Sequence, residues 1–101
     1  MKWWASLGIT RARYDDEGKY VTKVEIHKLN DGVAHDKSIL ARDHVMEFME
    51  KGFFIVTINE KSDGGIQIRD PVHLCETRGE TFIRVDDGDE PRDQLGRLPE
   101  L

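Results

Sequence analysis

The chain has 101 residues, of which 38% are hydrophobic and 35% are charged, and its formal net charge is −5. This length fits a single domain with one hydrophobic core, residues 1–101. The acidic balance disfavours a general nucleic-acid or anionic-membrane binder, because phosphate contacts need a basic surface.

Cellular location is also bounded by the sequence. No stretch approaches the roughly 18 apolar residues of a membrane span, and the apolar start of the chain is too short for a signal peptide. The single cysteine, Cys75, cannot form an internal disulfide. We therefore expect a cytoplasmic protein that has no contact with membranes.

The first third of the chain predicts a β-hairpin. Its apolar residues shift from odd to even positions between residues 7 and 14, which predicts a β-bulge or a bend near Thr10 and Arg11. A polar turn containing Gly18 leads to a second strand with alternating apolar residues, which ends near Asn30. Residues 33–38 show little periodicity and predict a loop.

The middle of the chain predicts one helix and a buried strand. Apolar residues recur at helical spacing over residues 40–51, and Gly52 can end this helix in a left-handed conformation. The continuous apolar run 53–58 is typical of a strand covered on both faces. The predicted core takes its residues from the apolar phase of each element: Val24, Ile26, Val45, Phe48, Phe54, Val56, Ile58 and Ile83.

The last third predicts an edge strand or a strand entry, followed by a second hairpin. Residues 66–69 alternate before Pro71, which cannot donate to a sheet ladder. Two alternating stretches, 72–77 and 81–85, flank a turn at Arg78 and Gly79. The order ββαβ(β)ββ predicts an α+β fold, with a small, mostly antiparallel sheet, open or curled into a partial barrel, and one helix.

The C-terminal segment is predicted to be an ordered part of the domain. A turn at Gly96 would direct Leu95 and Leu98 to one surface, and Pro99 limits the entropy lost on docking. The alternative is that these two leucines form a short motif read by a partner.

Several motifs together resemble an uncharacterised bacterial and viral family, domain of unknown function 3892. They are residues 13–18, 21–24, 42–45, 50–52 and 79–84, and the ending D-x-L-G-x-L-P-E of residues 93–100, which is the most specific. The resemblance covers residues 9–101 and implies an independent domain of bacterial or phage origin without assigned chemistry. Ala41 departs from the family's serine before the helix, and Trp3 and Trp4 extend the start.

No residue pattern points to catalysis, a cofactor or a metal. His73 and Cys75 lie two apart and would share one face of a strand, but no further metal-type donors stand at suitable spacing, so we interpret them as structural. The acidic run 86–90 fails the spacing of a calcium loop, and we interpret it as a solvated turn.

Two surfaces are candidate interfaces. Arg11, Arg13, Lys23 and Lys28 give the first hairpin a basic face, which with its aromatic neighbours could bind single-stranded nucleic acid. Trp3 and Trp4 are adjacent, so on a strand they would point to opposite faces and one would protrude. The alternative is that the N-terminus folds over the sheet edge. Exposed aromatic residues of this kind are enriched at protein interfaces. Leu95 and Leu98 are candidate interface residues if they form a linear motif.

The leading functional hypothesis is a non-enzymatic protein-binding or regulatory module that engages a protein partner, or itself, through a sheet edge or the aromatic N-terminus. A nucleic-acid-associated accessory protein that uses the first hairpin is the alternative. A small metal-binding protein or enzyme that uses His73 and Cys75 is the third.

Overall fold

The computed structural model describes residues 7–30, 33–63, 65–88 and 90–101. The described elements are β1 (Leu7–Tyr14), β2 (Val21–Asn30), β3 (Val33–Ala41), α1 (Arg42–Glu50), β4 (Ile55–Glu60), β5 (Ile66–Pro71), β6 (His73–Thr77) and β7 (Glu80–Arg84). The fold class is therefore α+β, as the sequence predicted. No helix in these ranges is long and apolar enough to cross a membrane.

Five strands form one sheet in the order β3-β2-β1-β4-β5, and β6 pairs with β7 in a second sheet. All neighbours are antiparallel except β1 and β4, which are parallel. Both predicted hairpins are confirmed, and of the two alternatives for residues 66–69 the structure shows the edge strand, β5. The described strands leave β3 at the opposite edge, so the sheet is open and does not close into a barrel.

Strand β3 corrects the prediction of a loop at residues 33–38. These residues pair antiparallel with β2 across a register shift, and Asp36 has a positive φ of 50°. The irregularity breaks the alternation that would have revealed the strand, and most of its side chains are exposed because it lies at an edge. The observed order is βββαββββ.

Helix α1 is shorter than predicted and follows β3 directly. Ala41 occupies its N-cap and offers no side-chain hydrogen bond, as expected from the missing serine. Gly52, with a φ of 94°, ends the helix in the predicted left-handed conformation. The helix buries Val45 completely, and Phe48 packs against the core at partial exposure.

The predicted buried strand begins two residues later than the apolar run suggested. Phe53 and Phe54 form the link between α1 and β4 and are 44% and 38% exposed. The inclusion of Phe54 in the core was therefore wrong, because the turn at Gly52 places it before the strand. Val56 and Ile58 are buried as predicted.

Each face of the five-stranded sheet carries its own apolar cluster. The face that α1 covers holds the larger one: Ile9, Ala12, Val21, Val24, Ile26, Val45, Ile55, Val72, Ile83 and Leu95. The opposite face, called here the second face, holds Leu29, Val56 and Ile58, with Ala34 and Ile66 packed against them. Alternation along β2 explains the division, since Val24 and Ile26 point to one face and Leu29 to the other.

The C-terminal segment docks on the domain, which confirms that prediction. Leu95 is 1% exposed and Leu98 packs against the same cluster at partial exposure. Gly96 has the expected positive φ, 76°. The buried carboxylate of Asp93 accepts hydrogen bonds from the backbone N–H groups of Val21 and Ile83, both at 2.8 Å.

Candidate functional site

Strand β3 presents apolar side chains on both faces of the sheet edge. Ile39 lies on the second face, opposite Glu25 of β2, and is 51% exposed. Leu40, on the helix face, lines a groove of about 270 Å³ with Ile26, Leu7, Phe48 and Phe53 among its other walls. We call this depression the β3 groove. Its volume lies close to the lower end of the roughly 300–1,000 Å³ usual for small-molecule pockets.

The β3 groove exists because the helix covers the sheet incompletely. Phe48 near the end of α1 packs beside Phe53, with ring centroids 5.1 Å apart. These rings form one wall, and the β2 and β3 side chains form the other. Lys28 and Asp36 also line the groove and carry opposite charges.

A polar cluster lies on the second face, where the predicted bulge is confirmed. Ile9 pairs with Ile26 and Arg11 with Glu25, so Thr10 is an extra residue in β1. The bulge lets Thr10 and Arg11 both contact the Glu25 side chain, although they are neighbours in sequence. Bulges often redirect side chains in this way beside functional sites.

Within this cluster one hydroxyl joins two buried ionisable side chains. Thr10 Oγ1 donates to Glu25 Oε1 at 2.7 Å and lies 3.1 Å from His27 Nε2. Glu25 is 8% exposed and His27 7% exposed. Glu25 Oε1 and His27 Nε2 are 3.7 Å apart.

Glu60, from the end of β4, completes the cluster. One donor atom each from Glu25, His27 and Glu60 lie within 4.8 Å of one another. We call these three residues and Thr10 the Glu25 cluster. Glu60 is exposed, and together with Arg11 it lines two surface pockets of about 460 and 430 Å³. The cluster is therefore accessible from the surface on one side.

Sequence reasoning did not single out Glu25, His27 or Glu60 as a group. Glu25 and His27 stand two apart on a predicted strand, so their shared face was predictable. Glu60 joins them only through the parallel pairing of β1 with β4, for which the sequence carried no signal.

The candidate basic surface of the first hairpin is divided by the structure. Arg11 lies 3.6 Å from the Glu25 carboxylate, and Arg13 donates to the backbone carbonyl of Leu101 at 2.8 Å. Lys23 pairs opposite Arg13, whereas Lys28 lines the β3 groove on the helix face. The four cations thus do not form one continuous patch.

The other candidates have defined positions as well. Trp3 and Trp4 lie outside the described residues. Leu95 is a core residue and is not available to a partner while the domain is folded. His73 and Cys75 lie half-buried on β6, and within the described ranges they belong to no group of three metal-type donors.

The described acids of the run 86–90 are exposed, as a solvated turn predicts, but two of them also pair with a buried arginine. Arg84 in β7 is fully buried, and its guanidinium donates to Asp86 at 2.7 Å and lies 3.8 Å from the Glu90 carboxylate. The Arg84 guanidinium holds the pKa of Asp86 below its usual value. Asp86 and Glu90 therefore balance a buried charge, a pairing not visible from composition.

Comparison with known proteins found no relative of this chain. No family model, curated protein or solved structure matches the chain. The resemblance to domain of unknown function 3892 stays a prediction.

Proposed function

We propose that this domain is a non-enzymatic protein-binding module whose partner adds an extended strand to the edge of β3. The proposal rests on one observation. The edge strand β3 has apolar side chains on both faces of the sheet: Ile39 on one face, and Leu40 beside the β3 groove on the other. A strand added beside β3 would cover both.

An extended chain can pair with the backbone of this edge. The outer side of an edge strand presents backbone N–H and C=O groups that a further strand can pair with. β3 is nine residues long, which is about 30 Å at roughly 3.3 Å per residue.

The docking half of β3 is residues 38–41. In the other half, the bulge at Asp36 and the charge of Lys37 protect the edge, as such features do in natural sheets. Residues 38–41 carry no charge and border the β3 groove through Ser38 and Leu40. We therefore propose a partner segment with apolar residues at neighbouring positions, one for each face.

The net charge of this chain also limits the charge that a partner segment can carry. The chain has a net charge of −5, so an acidic segment would be repelled during encounter, a basic one would be attracted, and a neutral one would be neither repelled nor attracted. The proposed ligand is thus an apolar, non-acidic strand of another protein.

Two matched variants test this proposal. Ile39→Lys places a charge on the β3 edge, and Ile68→Lys places the same charge on β5 at the opposite edge, where Ile68 is 57% exposed. Short random peptides displayed on phage are selected on the wild-type domain, and selected peptides are measured by fluorescence anisotropy. We expect apolar, non-acidic peptides that bind Ile68→Lys normally and bind Ile39→Lys at least about tenfold more weakly, a loss of about 1.4 kcal/mol.

Three results would overturn it. One is the absence of any enriched peptide, and another is equal binding by the two variants. The third is a wild-type dimer, seen by light scattering, that Ile39→Lys dissociates, since the occupant would then be a second copy. A Trp3→Ser/Trp4→Ser variant in the same assays tests the predicted aromatic interface separately.

A cytoplasmic location and a bacterial or phage origin belong to the same proposal. The first is supported by the single cysteine and the lack of a membrane-spanning helix among the described residues. The second is supported by the resemblance of residues 93–100 to the uncharacterised family.

A further inference from the structure

We propose that Glu25, His27 and Glu60 bind a divalent metal ion, with Zn²⁺ as the expected species. This site is on the second face of the sheet and is independent of the proposed protein-binding edge. It also differs from the His73 and Cys75 pair considered from the sequence.

The donor spacing is close to what a metal ion requires. Bonds from Zn²⁺ to histidine nitrogen or carboxylate oxygen are about 2.0–2.2 Å, so two ligand atoms in a tetrahedral site lie about 3.4 Å apart. Glu25 Oε1 and His27 Nε2 are 3.7 Å apart, and the donor of Glu60 is within 4.8 Å of both. Because Glu60 is exposed, its side chain can close the remaining distance.

The two buried ligands are held in place before any ion arrives. Glu25 is oriented by the hydrogen bond from Thr10, which the bulge in β1 directs to this face. Gly8 lies opposite His27, and a Cβ at Gly8 would stand 2.8 Å from Ile58 Cδ1. Ile58 therefore packs closely over Gly8 of β1. His27 itself is 7% exposed, and its Nε2 lies 3.1 Å from Thr10 Oγ1. Such preorganisation reduces the entropy lost when a ligand binds.

The chemistry of the donors favours a transition-metal ion over calcium. Two carboxylates and one imidazole suit Zn²⁺, whereas Ca²⁺ takes six to eight oxygen ligands and rarely uses histidine. Two carboxylates also balance the charge of a divalent ion. Arg11, the nearest cation to Glu25, has a side chain that is 49% exposed and is free to turn towards solvent when the ion binds.

Three protein ligands leave one position open. Zinc sites with three protein ligands keep a fourth position for water or another small ligand. The open side faces the pocket of about 460 Å³ that Glu60, Arg11 and His35 line.

The test is calorimetric titration of the metal-free chain with Zn²⁺, and with Ca²⁺ as the contrasting ion. We expect one Zn²⁺ per chain, no Ca²⁺ binding at the same concentration, and a higher melting temperature with Zn²⁺. Glu60→Gln should weaken Zn²⁺ binding at least about tenfold, as should His27→Gln. The matched control is His35→Gln, which changes an exposed histidine of the same pocket and should bind like the wild type.

Wild-type protein that takes up no Zn²⁺ would overturn the site and leave the Glu25 cluster as a buried hydrogen-bond network. Binding that Glu60→Gln leaves unchanged, or that His35→Gln abolishes, would overturn the ligand assignment. Should His27→Gln fail to fold, Glu60→Gln decides, because Glu60 is exposed and its replacement leaves the packing intact. Peptide binding at β3 is scored separately, so failure of one proposal is distinguishable from failure of the other.

Discussion

Replacing Asp93 with asparagine is expected to be one of the most damaging conservative changes in this domain. Its carboxylate, which is completely buried, pairs with Arg42, whose Nε donates at 2.7 Å and whose Nη2 donates at 3.1 Å. It also accepts the backbone N–H groups of Val21 and Ile83. One side chain thereby joins β2, α1, β7 and the C-terminal segment.

The size of the effect follows from these four hydrogen bonds. Asparagine keeps one oxygen, so its amide group faces two of the four donors and leaves them without an acceptor. An unsatisfied buried donor costs about 1–3 kcal/mol, and breaking a buried ion pair typically costs 3–5 kcal/mol. Since Arg42 keeps a side-chain exposure of 19% and can be partly hydrated, we expect a loss of about 3–5 kcal/mol.

Urea unfolding followed by circular dichroism measures this loss. For a small domain with a slope of about 1–2 kcal/mol per molar urea, the midpoint should fall by roughly 1.5–5 M. Asp43→Asn, at an exposed position in the first turn of α1, is the control and should cost at most about 1 kcal/mol. A double-mutant cycle with Arg42→Met should show a coupling of about 1–3 kcal/mol. A loss below about 1 kcal/mol in Asp93→Asn would refute the reasoning.

Three further predictions concern stability. Burial raises the pKa of Tyr14 above 10.0, so the folded protein favours the protonated phenol. The resulting contribution to stability is complete below pH 10 and is lost as the pH rises through the folded-state pKa. The free energy of unfolding should therefore decrease less between pH 8 and pH 11 in Tyr14→Phe than in the wild type. Leu95→Ala should lower the free energy of unfolding by about 2–5 kcal/mol in chemical denaturation, and an unchanged midpoint would contradict docking of the C-terminal segment. Gly8→Ala should cost about 1–3 kcal/mol, because the new methyl group meets the buried Ile58; a melting temperature equal to the wild type would show that Ile58 can move.

Strand β3 and the residues near Gly52 show where prediction from sequence was limited. A strand is recognised by alternation, and the bulge at Asp36 removed the alternation of β3. Phe54 and Val56 lie in the same apolar run, so apolar character alone did not show that Phe54 belongs to the link before β4 and Val56 to the strand. By contrast, the change of phase beside Thr10 predicted a bulge that the structure contains.

The sequence by itself determined the elements whose signals are local. Both hairpins, the helix that ends at Gly52 and the edge character of β5 follow from side-chain periodicity and turn residues, which act within a few positions of the chain. The docking of Leu95 could also be predicted, because a glycine turn and two leucines lie within four residues.

Only the tertiary structure decided which distant residues meet. Parallel pairing of β1 with β4 brings Glu60 beside Glu25 and His27. The fold also buries Arg84, and its charge is balanced by Asp86 and Glu90. Such contacts depend on strand order and register, which are set by the free energy of packing the whole core. Because the same alternation of side chains allows a strand to pair with many other strands, no local pattern in this chain could specify these contacts.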